Sequence, residues 1–513
     1  MRASLGFSLA DPGKRVFETP GRQVTLLGTW ENDLPRAERW MGGSLPEAVR
    51  SLAPCEIDGA LVIVERDAGG NVAEMAAYRG PVSTLEIFYS AMPDGFFISD
   101  SFSETLSWVP PKDRRPELLA LLDFLLFQHA FGPQSPIRAI RRLGHGERLE
   151  ADGLGKASVS LHSRLEIPGI PTGFGQALDE TERLLAGFLE TVPGGTANLF
   201  SGGVDSTLLQ VLMGTGHPAV TAVPDCPEFA FETAAARRSA SLCGAALEEI
   251  PVEESRYSEI LRAETAAGGI PLPLLQVPVL AAAMDFAASG FTAGFVADSF
   301  FSLPRGKRQA VRDGENPSLF EPGSFSVSSE KALLEDLFGR EAVAARIRER
   351  DEYILSRVNS PQWFSPLERG CLASFYCSSA PVYRQLALAR GKSLYTPYAA
   401  RPLVQMALSL PAPGRLFREG VFKPVLKGIL SRHLPSYPVD EEKGGTGLPR
   451  TRFCRRGPLK GYFEENPLPG FPDPGRAGPI LEPDWGSSMT SFRCIAWSMW
   501  EKTLKAADRR DEP

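Results

Sequence analysis

The sequence is poor in the residues that hold metals or carry redox chemistry. It has five histidines, and its seven cysteines (Cys55, Cys226, Cys243, Cys371, Cys377, Cys454 and Cys494) are scattered, with no CxxC pair. That spacing offers neither a zinc site nor a disulfide framework, and predicts reduced thiols in a cytoplasmic setting. A basic excess is missing too: 55 Lys and Arg stand against 62 Asp and Glu, a net charge of −7. Phosphate-tracking surfaces need the opposite balance, so no nucleic-acid partner is expected. No apolar run reaches membrane-spanning length. The richest stretch, "VPVLAAAMDFAASG", is short and carries Asp285, and the N-terminal "MRASLGFSLADPGKR" has no signal-peptide core, so no membrane partner is expected either. There is no internal repeat.

What the chain does have is length and punctuation. Its 513 residues are enough for two or three domains. Residues 1–165 read as mostly strand: "QVTLLGTW", "GALVIVER", "VAEMAAYRG", "LEIFYSAM" and "GFFISDS" are short β-rich runs between Gly, Pro, Asp and Asn, and "IRRLGHGERLEADG" reads as another hairpin. Helical patterns fall near 35–52 and 116–130. The Pro/Gly-rich "LEIPGIPTGFG" marks a boundary, giving units 1–165 and 176–513 with a linker at 166–175. Beyond it, strands alternate with helices, which predicts a parallel sheet with ligand sites past the strand C-termini. Residues from about 330 onward read as helical with Pro/Gly interruptions.

One such site is "NLFSGGVDSTLLQ", residues 198–210, an apolar strand running through Ser-Gly-Gly-Val-Asp-Ser into a helix. Gly202 and Gly203 allow close backbone approach. The helix-start N–H groups, with Ser201, Ser206 and Thr207, make an anion cradle. The Gly-Lys-Ser/Thr ending of a Walker loop is absent, so no lysine is placed there for terminal phosphates.

This loop resembles the pyrophosphate loop of the N-type ATP pyrophosphatases, and the whole chain resembles the asparagine synthetase group, which includes β-lactam synthetases and lasso-peptide cyclases. Further blocks carry the resemblance in order: "YRGPVSTLEIFYSAMPDGFFISDSFSETL", with Gly80 in place of the family's Asp, "LYTPYAARPLVQMALSLP", and "FKPVLKGILSRHLPSYPVDEEKGGTGLP". The implied fold is α/β: an N-terminal glutaminase-like (Ntn-type) αββα domain, then a parallel-sheet ATP-pyrophosphatase domain with a helical C-terminal part. The implied activity is that of an AMP-forming carbon–nitrogen ligase, with ATP and Mg²⁺ as cofactors. A small-molecule or peptide carboxylate would be activated as an acyl-adenylate and captured by an amine. Ammonia-dependent asparagine synthesis and a non-catalytic nucleotide-binding member are the alternatives. A homodimer or a biosynthetic partner protein fits the group as well. A tRNA-modifying pyrophosphatase would want a basic surface and extra cysteines.

The resemblance assigns roles residue by residue. Asp205 and Asp298, the latter read as ending a buried strand, are the metal ligands; the simplest structural role for Asp298 is a helix N-cap. Lys443 in "DEEKGGTGLP" matches the lysine that meets pyrophosphate and developing oxyanion charge, and is catalytic with Asp298. Leu199, Ser201, Val223 and Gly294 would surround adenine. Lys423 and Lys427, spaced i, i+4 on a predicted helix, read either as phosphate contacts or as a solvated face. Arg401 is a candidate partner for a carboxylate. Two departures stand out. Phe295 and Ser299 replace the family's acids after Gly294, so residue 295 has no titratable group for the amine. Residue 2 is Arg2 rather than the nucleophilic cysteine, and the glutamine-holding loops are missing, so no glutaminase activity is expected.

Overall fold

Successive side chains along a strand point to opposite faces of the sheet, and this period of two decides which face each residue of the first 165 joins. In the computed structural model, β1 (Ser4–Ser8), β7 (Gly95–Ser99), β6 (Phe88–Met92) and β8 (Arg141–Arg142) form a four-stranded sheet in that order. A six-stranded antiparallel sheet runs β10 (Ala157–Leu161), β9 (Glu147–Asp152), β5 (Val72–Arg79), β4 (Glu56–Arg66), β3 (Arg22–Trp30) and β2 (Arg15–Thr19). Val62, Val64, Met75 and Ala77 face Ile87, Phe96 and Ile98 in the core between the two sheets. Their neighbours Leu61, Ile63, Ala76 and Tyr78 point the other way, onto Leu45 and Ala48 of the helix Leu45–Arg50. The four-stranded sheet carries the helix Phe102–Trp108, with Trp108 stacked on Phe97 at 5.0 Å between ring centroids. The layers are therefore helix, sheet, sheet, helix. The described residues are 4–30, 41, 44–50, 56–93, 95–153, 155–167, 173–303, 305–315, 327–328, 330–359, 365–441, 448–472, 475 and 489–508.

The segment read as a hairpin, 140–153, is a crossing instead. β8 pairs with β6 and β9 with β5, in different sheets. The Gly-His-Gly punctuation turns the chain, but Arg79 Nη1 donates to Leu143 O at 3.0 Å and Gly146 N to Arg79 O at 3.0 Å, holding the turn between the sheets.

The second unit contains a five-stranded sheet, β11 (Thr196–Leu199), β12 (Ala219–Pro224), β13 (Leu247–Val252), β14 (Gly290–Ala293) and β15 (Ser393–Tyr395). Its order is β13-β12-β11-β14-β15, and every pair is parallel. The chain fills one side from β11 outward, then returns to lay β14 against β11. That reversal leaves a crevice beyond the C-terminal ends of β11 and β14, where open α/β sheets bind ligands.

The predicted boundary separates the sheets but not the core. The helix Leu118–Phe127 is apolar on nearly every face, and eight of its residues are buried. It packs with Trp497 and Trp500 of the helix Met489–Asp508 in the same cluster as Leu199 and Val220. The helix Phe174–Leu189 begins inside the predicted linker. Across the two units, Arg384 Nη2 meets Asp58 Oδ2 at 2.5 Å, with Thr84 and Thr396 hydroxyls completing the Asp58 shell.

Candidate functional site

β11 ends at Leu199, and the helix Val204–Met213 starts five residues later. The turn between them needs glycine for two reasons. Gly202 has φ +68°, and a Cβ there would lie 2.4 Å from Ala235 O, so the loop is pressed onto the helix Ala230–Cys243. Ser239 Oγ and Tyr437 Oη both donate to Gly202 O at 2.9 Å. Within the loop, Ser201 N donates to Ser206 Oγ at 3.2 Å and Gly203 N to Ser201 Oγ at 3.4 Å. Asn198 Nδ2 donates to Ser206 O at 2.9 Å, and Tyr398 Oη to Asp205 O at 3.0 Å, fixing the helix start from below and beside.

The opposite wall follows β14. A Cβ on Gly294 would lie 3.0 Å from Asp205 Cβ and 3.3 Å from Ser206 N, so glycine lets the end of β14 close on the start of the helix Val204–Met213. Between them is a cavity of about 250 Å³, near the small end of ligand pockets, which span about 300–1,000 Å³. Leu199, Val220, Ala222, Val279, Leu280, Ala283 and Ala293 supply apolar walls, and Ser201, Asp205, Ser206, Thr221, Glu232 and Gln276 the polar rim. Phe295 closes one side and is stacked on Tyr383 at 4.3 Å and 15°.

Beside the cavity, two carboxylates converge on one ammonium. Lys423 Nζ lies 2.6 Å from Asp205 Oδ2 and 2.8 Å from Asp298 Oδ1. Arg308 Nη2 reaches Asp298 Oδ1 at 3.1 Å while its Nε holds Leu303 O at 2.7 Å. Burial pushes the Asp205 carboxyl up, against the pull of Lys423. Burial works against the Lys423 charge, but Asp205 and Asp298 outweigh it and hold its pKa above the usual lysine range. Asp205 Oδ1 is buried and makes no hydrogen bond. Both segments bearing this contact are strained. Val296 (φ +61°) precedes the helix Ala297–Phe301, and Lys423 (φ +59°) caps the helix Pro424–His433.

Several expected residues meet here. Leu199, Ser201, Asp205, Ser206 and Gly294 line the cavity, with Asp298 beside it at the shared ammonium. Others do not line it. Gly202 and Gly203 shape the turn, Thr207 is fully buried, and Val223 yields its place to Val220, Thr221 and Ala222. Lys443 lies outside the described residues, as do Arg2 and Cys55. Asp298 neither ends a strand nor caps a helix: β14 stops at Ala293, the cap is Val296, and Asp298 sits in the first helical turn. Ser299 is buried against Ser374 at 3.3 Å. Lys423 is neither on a solvated face nor on the helix it precedes, and Lys427 lies within that helix, half-buried. Arg401 opens the helix Arg401–Ser409. Sequence reasoning missed Arg308, Glu232, Tyr398 and Tyr437. The basic run "RGKR", 305–308, was the one visible signal for Arg308.

The donor set suits a hard divalent cation. Mg²⁺ takes one or two carboxylates and completes its shell with water and phosphate oxygens, and Asp205 with Asp298 supplies that number. Among the described residues no group of three or more His, Cys, Asp or Glu could hold a metal by itself, so a metal here depends on ligands brought by a substrate. An apolar slot ending in serine hydroxyls and a helix N-terminus suits a nucleotide. No protein-family model and no curated protein matches the chain.

Proposed function

We propose that the chain is an AMP-forming ligase of the asparagine synthetase type, joining a carboxylate to an amine at the expense of ATP. The observation that carries this reading is the meeting, at the sheet's switch point, of the Ser-Gly-Gly-Val-Asp-Ser loop with the segment Gly294–Asp298. These segments are far apart in sequence, yet Asp205 and Asp298 share one cation. On this reading the two-layered N-terminal unit is an Ntn-type glutaminase fold without its nucleophile, and the second unit is an ATP pyrophosphatase domain. Asp205 and Asp298 would hold Mg²⁺, which would supply positive charge against the phosphates where a carboxylate oxygen approaches the α-phosphate. Leu199, Ala293 and their neighbours receive the base. Ser201 and Ser206 face the phosphates, and Phe295 separates the nucleotide from the amine side without taking a proton. The amine belongs to the same substrate or to a second one, and comes from no glutamine hydrolysed here.

ATP–pyrophosphate exchange over a panel of amino acids and peptides tests the reading. A substrate that supports exchange is expected, and Asp205→Asn should lower exchange by about a hundredfold or more, equivalent to about 2.7 kcal/mol. Nucleotide binding without exchange for any carboxylate would favour the non-catalytic reading, which Phe295 and Ser299 support. Failure to bind ATP at all would end both.

A further inference from the structure

Two carboxylates brought together in a partly buried site repel each other, and something positive must hold them. Here the protein supplies it. The Lys423 side chain, 12% exposed, is the common partner of Asp205 and Asp298, and Arg308 takes the same Asp298 oxygen. Among the described residues two carboxylates face two cations, so much of the charge that would attract a divalent ion is already neutralised. The arrangement is held under strain at both ends. Two of the four non-glycine residues with positive φ among the described residues are Val296 and Lys423, each next to the contact. Strain of this kind persists where surrounding structure imposes it, and is released when the contact changes. The basic face continues outward: Arg308 and Arg312 lie 5.8 and 5.2 Å from the Phe422 ring, directly before Lys423.

We infer that Lys423 is a built-in placeholder for the divalent cation. In the nucleotide-free protein its ammonium holds the shared position between Asp205 and Asp298 and keeps the metal out. The phosphates of an arriving nucleotide draw Lys423 and Arg308 away from the carboxylates. The carboxylates then take the metal, and the two freed cations face the phosphates that leave as pyrophosphate. This inference rests on the proposed function, and its consequence is an order: nucleotide and metal bind cooperatively, and metal alone binds only weakly.

The test uses Mn²⁺, read by its electron paramagnetic resonance signal, and α,β-methylene-ATP as a nucleotide that cannot be cleaved at the α,β bond. Wild-type protein should bind Mn²⁺ weakly alone and about 5- to 150-fold more tightly with the analogue, the usual range of a coupling between two ligands. Lys423→Gln should bind Mn²⁺ without the analogue more tightly than the wild type does, and should show a smaller gain when the analogue is added. Lys423→Arg should still exclude it. Equal Mn²⁺ affinity of the wild type with and without the analogue overturns the inference, as does Lys423→Gln with no gain. Should Lys423→Gln fold only when Mn²⁺ is present, that dependence is itself the expected result. Should it fold under neither condition, Arg308→Gln carries the test, because it removes one of the two cations on the Asp298 oxygen, and no gain of Mn²⁺ affinity there overturns the inference. Analogue binding without Mn²⁺ coupling defeats the placeholder alone, whereas no analogue binding at all defeats the proposed function with it.

Discussion

Val296 occupies backbone space that a β-branched residue normally avoids. An L-residue there costs about 1–2 kcal/mol, while the Val296 side chain recovers part of this by packing at 9% exposure. The usual order of truncations should therefore reverse. Val296→Gly is expected to be at least as stable as Val296→Ala in urea unfolding, although glycine ordinarily costs about 0.5–1 kcal/mol more than alanine. The same scale shows what a sequence discloses. Ser201, Asp205 and Ser206 were legible because strand, glycine turn and helix follow one another locally, whereas Leu199 and Gly294 came only with the resemblance. Lys423 was not, because a lysine before a helix is solvated by default, and its partner Asp205 is 218 residues away.

At the scale of elements, strands with alternating side chains were readable, and their sheet assignments were not. β8 and β9 looked like one hairpin because turn residues lie between them, but pairing depends on Leu143 and Arg142 finding cores outside the segment. The end of β14 was misjudged for a related reason. "FTAGFVAD" is mostly apolar up to Asp298, yet the chain turns at Gly294, where Asp205 closes in. The link from β1 toward β2 carries a pH dependence. Asp100 accepts from Ala10 N at 2.6 Å and Asp11 N at 2.9 Å, and Asp11 Oδ1 accepts from Ser393 Oγ at 2.6 Å. Burial, partly offset by those two amides, pushes the Asp100 carboxyl up to about 7. The folded protein thus keeps a proton that the unfolded chain has released above the ordinary carboxyl range. The contribution of this group to stability is full at low pH and declines as pH rises toward 7. Urea unfolding between pH 4 and 8 should show wild type losing stability faster than Asp100→Asn, by a slope of up to about 1.4 kcal/mol per pH unit. Parallel slopes for the two proteins would refute this assignment.

For the whole molecule, the bond between the two units is ionic as well as apolar. Asp58 is fully enclosed, with Arg384 as its cation and Ser83, Thr84 and Thr396 as donors. Arg384→Met should destabilise by about 3–5 kcal/mol, because a buried carboxylate loses its counter-charge. Adding Asp58→Asn should recover part of that loss, and urea midpoints of the single and double variants measure both. The change from largely antiparallel sheets to a parallel one was legible from the change of periodicity near residue 165. Their shared core was not, since the uniformly apolar helix Leu118–Phe127 does not announce its partner.

That partner comes late. Arg493 Nη1 donates to Leu125 O at 2.6 Å across 368 residues of chain, and Trp497 lies against Phe124 at 5.7 Å between ring centroids. On a ribosome, the helix Leu118–Phe127 emerges with the side that Phe124 and Leu125 turn to Trp497 and Arg493 bare, and that side stays so until residues 489–508 have been made. The first unit is in this sense the last to be finished, and a nascent chain halted at the linker would expose a surface that invites chaperones.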